Sequence, residues 1–99
     1  MLTEDRLRHY EKKAALLKAL AHPIRLCIVT NLLERSCNVR HMQECLGLPQ
    51  STVSQHLALL RNQGIIHGER NGSEVVYRVV SQEAARIVRV LCSEGDDLT

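Results

Sequence analysis

LPQSTVSQHLALLR, residues 48–61, is the stretch on which the fold turns. Val53, Leu57 and Leu60 recur at helical spacing and require a buried side. Between them stand Ser51, Thr52, Ser54 and Gln55, short neutral groups where a solvated helix face ordinarily carries Lys and Glu. With the aliphatic residues inward, Ser51, Thr52 and Gln55 project the other way, near the helix N-terminus. In a recognition helix that end meets base edges in the major groove. Gln can bond adenine twice, Ser and Thr can donate or accept, and a Thr methyl can touch thymine. Long charged side chains hold phosphates but discriminate poorly between bases. The alternative is a polar face with no partner, because Ser and Thr are also common near helix starts.

Upstream, Asn38 can cap a short helix with Val39, Met42 and Leu46 inward, and Gly47 ends it. A short helix, a tight turn and a second helix make a helix-turn-helix over residues 38–63. Downstream, Gln63-Gly64 closes the helix, and Ile65 and Ile66 lead through His67-Gly68-Glu69-Arg70 to a turn at Asn71-Gly72. The run VVYRVV, residues 75–80, completes a β-hairpin over 65–80, with Arg70 at its tip in reach of backbone or minor groove. Toward the N-terminus, Thr3 with Glu4 and Asp5 starts a helix whose apolar residues are Leu7, Tyr10, Ala14, Leu17 and Ala21. His22-Pro23 interrupts it, and Pro23 opens a second helix with Ile24, Ile28, Leu32 and Leu33 on its apolar side. Ser81 caps a last helix carrying Ala84, Ile87, Val88 and Leu91 on one side. The expected order is α-α-α-α-β-β-α: a mainly α single domain, 1–99, with a small hairpin.

The bulk numbers agree with a small folded domain of 99 residues, 44% hydrophobic and 24% charged. Two Tyr, no Phe and no Trp leave an aliphatic core and argue against base stacking on aromatic platforms. The net charge of +2 does not by itself announce a nucleic-acid partner, although Glu94, Asp96 and Asp97 concentrate acid at the end. No apolar run suits a signal peptide or a membrane span, so a cytoplasmic protein without a membrane partner is expected. Cys27, Cys37, Cys45 and Cys92 show no CxxC spacing and are expected as thiols.

LKALAHPIRLCIV, LGLPQSTVSQHLALLRNQGII and GERNGSEVVYRV together resemble the ArsR–SmtB family of winged-helix transcriptional repressors. The likeness runs from about Leu17 to Ser81. Its most distinctive part is the pattern Ser54, His56, Leu57, Leu60, Arg61 and Gly64. The resemblance implies a homodimer built through residues 1–21 and 81–95, bound to double-stranded DNA at an inverted-repeat operator. Gln50, Ser51, Thr52, Ser54, Gln55 and His56 fall on the family's DNA-contacting segment, and Arg70, Asn71 and Gly72 on its wing. His56 also reads as a half-buried histidine bonded to a neighbouring turn. Arg61 suits either a phosphate or the C-terminal helix dipole.

Relatives of this kind release DNA when a metal or metalloid binds or when thiols are oxidised. Where the third-helix metal pattern is Cys-Val-Cys-Asp-Leu, this chain reads Asn38-Val39-Arg40-His41-Met42, and SQEAARIVRVLC lacks the His of the last-helix site. No metal and no cofactor are therefore expected. Cys37, His41 and Cys45 tempt a non-standard metal reading, but a helix through them separates the sulfurs by about 12 Å. Only an unwound start at Cys37 brings them nearer. Cys27 and Cys92 are the candidates for a redox or persulfide switch, although the second-helix cysteine of such relatives falls nearer Thr30. Cys27 as a small core residue, and a regulator with no ligand, are the alternatives. No acid pair, phosphate loop or Ser-His-Asp arrangement suggests an enzyme. A winged helix used only for protein contacts is the remaining non-DNA reading.

Overall fold

Thr3 opens the first helix as expected, its Oγ1 accepting the Arg6 N–H at 3.2 Å. The structure, a computed structural model, describes residues 1–92. In chain order it comprises α1 (Glu4–Leu20), α2 (Pro23–Glu34), β1 (Cys37–Asn38), α3 (Val39–Leu46), α4 (Gln50–Asn62), β2 (Ile66–Asn71), β3 (Glu74–Val79) and α5 (Gln82–Leu91). Glu94, Asp96, Asp97 and the 93–95 end of the expected dimerisation segment lie outside the described residues. The helix order and the hairpin are those expected, and β1 is an addition.

The junctions follow from local chemistry. His22 is extended, and its Nδ1 accepts the Ile24 N–H at 3.0 Å, so this histidine caps α2 while Pro23 occupies its first turn. Asn38 caps α3 by accepting the His41 N–H at 2.8 Å. Gly47 ends that helix at φ +67°, a conformation that glycine adopts without a Cβ clash. Two residues later Pro49 stands at the N-cap of α4, with no side chain capping the helix.

The three strands form an antiparallel sheet in the order β1-β3-β2. Cys37 pairs with Tyr77 and Asn38 with Val76, a contact across the chain that two residues of sequence do not announce. In the hairpin Asn71 pairs with Glu74, so the two-residue loop is Gly72-Ser73 rather than Asn71-Gly72. Gly72, at φ +68°, is the only loop residue with positive φ, as in a type II′ turn, whereas an Asn-Gly loop needs it at both.

The core is aliphatic, as the composition requires. Leu20, Ile28, Val29, Leu32, Met42, Val53, Leu57, Leu60, Ile65, Ile66, Ala84 and Val88 are buried around Tyr77. Val29 joins the expected α2 side, while Ile24 and Leu33 are half-buried. The α1 stripe stays outside, with Leu7, Tyr10 and Leu17 at 45%, 50% and 53% exposure, and the core takes Ala19 and Leu20 instead. Leu91 is also outside, at 60%. Among the described residues no single helix is long and apolar enough to cross a membrane; α1 and α2 reach that measure only as a pair bent by 92°.

Candidate nucleic-acid interface

Val53, Leu57 and Leu60 are 0%, 2% and 0% exposed, which fixes the rotation of α4. Gln50, Ser51, Ser54 and Gln55 are consequently exposed on the other side, and Thr52 is half-buried. The first turn has no side-chain cap, so the amides of Gln50, Ser51 and Thr52 keep their donor capacity for an outside acceptor such as a phosphate oxygen. Arg61 is exposed in the last turn of the same helix.

The wing stands beside this helix. Strand alternation puts Val75 and Tyr77 of β3 on one face with their cross-strand partners Arg70 and Gly68. That face borders a groove of about 500 Å³ whose other wall includes Arg40 and Gln43 of α3 and Gln50 of α4. Arg70 is exposed two residues before the Gly72-Ser73 tip. Arg40 and Gln43 are additions to the candidate surface. Their spacing on a short helix carries no signal until the wing is placed opposite.

His56 is half-buried and turned toward the α1–α2 elbow. Its Nδ1 lies 3.4 Å from Nη1 of Arg25, and its ring sits 4.6 Å from that of His22, centroid to centroid. Arg25 also donates from Nε to the Ala19 carbonyl at 2.5 Å and from Nη2 to the Lys18 carbonyl at 3.4 Å. One guanidinium thus joins the end of α1, the start of α2 and the middle of α4. Burial, then the nearby charge of His22 and Arg25, holds the His56 pKa below the ordinary histidine value. His56 therefore packs beside Arg25 and His22 while lying on the same helix as the exposed ridge. Arg25 lies within the quoted LAHPIRL run, but only the fold reveals what it joins.

All four cysteines are free thiols. Cys27 is exposed on α2, 3.7 Å from Asn31 Nδ2, so it is not the small core residue the sequence allowed. Cys92 is half-buried against the core just beyond α5. Cys37 sits in β1, the non-helical start that the spacing left open. Among the described residues, however, no three His, Cys, Asp or Glu side chains are arranged to hold a metal ion.

The model of bacterial regulatory proteins of the arsR family matches residues 22–67, from the α2 cap through α4 into β2. The biofilm growth-associated repressor of Xylella fastidiosa is 37% identical over 91 residues, 92% of this chain and 80% of that protein. The chain belongs to the ArsR family. Among solved structures, this ArsR-family chain is similar to reduced HlyU from Vibrio cholerae, with a TM-score of 0.83 and 32% identity, covering 90% of this chain and 94% of that one. It is also similar to the homodimeric winged helix-turn-helix DNA-binding domain of Mb0332 from Mycobacterium bovis, with a TM-score of 0.82 and 25% identity over 90% and 82% of the two chains.

Proposed function

We propose that this ArsR-family regulator is a cytoplasmic homodimeric repressor that reads an inverted-repeat operator with α4 and steadies it with the wing. The observation that carries the reading is the exposed ridge Gln50, Ser51, Ser54 and Gln55, opposite three buried aliphatic residues of the same helix. Thr52 adds its hydroxyl at the ridge edge. Arg61 and Arg70 serve as phosphate contacts, with Asn71 and Gly72 carrying the wing tip along the backbone. Two copies related by a twofold axis present two such ridges about one helical turn apart, which calls for an inverted repeat. The unburied stripe of Leu7, Tyr10 and Leu17 on α1 supports a second copy as the partner. Residues 1–21 and the helix from 81 onward form that interface, 38–63 the helix-turn-helix and 65–80 the wing. We assign the chain no catalytic role and no cofactor. Free thiols make a thiol-reactive signal the natural route of release, with Cys27 and Cys92 as the candidates named from sequence.

Selection of duplexes from a random pool, followed by anisotropy titration of selected and scrambled DNA at two salt concentrations, tests the reading. A base reader keeps its preference for the selected duplex as salt rises, while its non-specific binding falls steeply. Equal affinity for both duplexes at both salts overturns it. A winged helix used for protein contacts also tolerates Lys at Ser51 and Gln55, whereas a base reader does not.

A further inference from the structure

Away from the α4 ridge, a pocket of about 300 Å³ opens between the end of α2, β1 and α3. Its lining includes Asn31, Arg35, Cys37, His41, Met42 and Cys45. Within it Cys45 Sγ and His41 Nε2 are 3.5 Å apart, one helical turn from each other on the exposed side of α3. Cys37 reaches the same pocket from β1. Two thiols and an imidazole on one small cavity are a nucleophile, a proton acceptor and a second soft wall.

Three chemistries compete for such a site. A metal ion is not supported, because Cys37, His41 and Cys45 do not form a three-ligand cluster among the described residues. A Cys37–Cys45 disulfide requires a two-electron oxidant from outside, and both sulfurs stand as free thiols. Addition of a carbon electrophile to one thiol needs neither a third ligand nor a second sulfur. The volume is at the small end of ligand pockets, which suits a compact molecule.

We propose that the Cys37–His41–Cys45 pocket is a modification site at which Cys45 adds to small α,β-unsaturated carbonyl compounds or quinones. Cys45 Sγ bonds to the β-carbon, the alkene π pair moves toward the carbonyl as an enolate, and the thiol proton passes to His41 Nε2 and then to the α-carbon. No group leaves, and no external oxidant or reductant is required. Cys37 stays a thiol, since burial, followed by the neighbouring Cys45, pushes its pKa up against the pull of Arg35.

The pocket's walls connect it to both reading elements. Met42 of α3 is 1% exposed in the core, and α3 packs on α4. Cys37 pairs with Tyr77 in the middle strand of the wing. An adduct occupying the gap pushes α3 and β1 away from the end of α2, displacing α4 and the wing together. Operator affinity falls. This effect rests on the repressor reading above; the reactivity of Cys45 does not.

N-ethylmaleimide and methyl vinyl ketone serve as probes on the full chain, with mass spectrometry locating the adduct and anisotropy on selected DNA reading affinity. Cys45 is expected to react ahead of Cys27, and His41→Gln to slow it on the order of tenfold or more. Alkylated protein is expected to lose affinity on the order of tenfold or more, a change in the range of allosteric coupling. Cys45→Ser protein, with Cys37, Cys27 and Cys92 intact, is expected to bind DNA normally and to keep that affinity at the probe dose that saturates Cys45 in the wild type. Faster reaction at Cys27, a rate at Cys45 indifferent to His41→Gln, or equal loss of affinity in Cys45→Ser each overturns the proposal. Circular dichroism of each variant separates misfolding from lost reactivity. Should unmodified protein prefer no duplex, the repressor reading falls, and the rates at Cys45 still decide the site.

Discussion

His56 illustrates how much one side chain's surroundings decide. Burial, His22 and Arg25 all disfavour its protonation in the folded state. The unfolded chain therefore binds more protons in the window from its ordinary value of 6.5 down to the lowered folded value. Stability is full above that window and is lost as pH falls through it. Urea midpoints measured from pH 7.5 to 5 are expected to drop on acidification, and His56→Gln is expected to flatten the slope relative to wild type. Gly68 makes a different residue-scale point. A Cβ there meets Tyr77 Cε1 at 2.8 Å and Val75 Cγ1 at 2.9 Å, so the ring of the buried tyrosine lies on bare backbone. Gly68→Ala is expected to destabilise by about 1–3 kcal/mol, the usual cost of overpacking, visible as a lower thermal midpoint.

Among the elements, α3 and α4 divide their labour. Helix α3 is eight residues long, too short to persist alone, and rests on its Asn38 cap, the Gly47 stop and the burial of Met42. Asn38→Ala is expected to cost about 1 kcal/mol of unfolding free energy in denaturant titration. Helix α4 has no such cap, and its polar ridge contributes nothing to the core. Gln55→Ala is therefore expected to leave stability within about 0.5 kcal/mol while costing about 1–3 kcal/mol of discrimination at one base pair of the operator. Arg70→Ala on the wing is expected to weaken all duplexes alike and reduce the salt slope by about 0.9 if it holds one phosphate. The pairing of effects, specificity from the helix and salt dependence from the wing, is what titration of both variants checks.

For the whole molecule, the decisive feature is what the single chain leaves uncovered. Its radius of gyration is 14.7 Å, against about 13 Å for a compact chain of this length. Helix α1 touches the body mainly through its last turn, and it is tied to α5 by the Lys13–Glu83 ion pair, which holds the Glu83 carboxyl below its usual range. Its Leu7, Tyr10 and Leu17 face outward. In the proposed homodimer a second copy covers that stripe. Leu17→Glu is expected to halve the mass seen by light scattering after gel filtration and to lower operator affinity, because one ridge no longer has its twin. A wild-type protein that is already monomeric at micromolar concentration contradicts this arrangement.

Caps, glycine stops, the proline break and the inward side of α4 were legible in the sequence, because each depends on neighbours three or four residues away. Thr3, Asn38 and Ser81 cap the helices they were read to cap, and Val53, Leu57 and Leu60 are the buried residues the spacing required. The polar ridge followed from that spacing too. Only the tertiary structure decided which apolar stripe the core takes. Periodicity marks Leu7, Tyr10 and Leu17 as a face but cannot say whether that face meets its own chain or another. It also paired Cys37 with Tyr77, joined three helices through Arg25 and His56, and brought Cys37 and Cys45 to one cavity. These contacts link residues distant in sequence, or depend on where a helix starts. Local propensity carries no term for them until the layers pack.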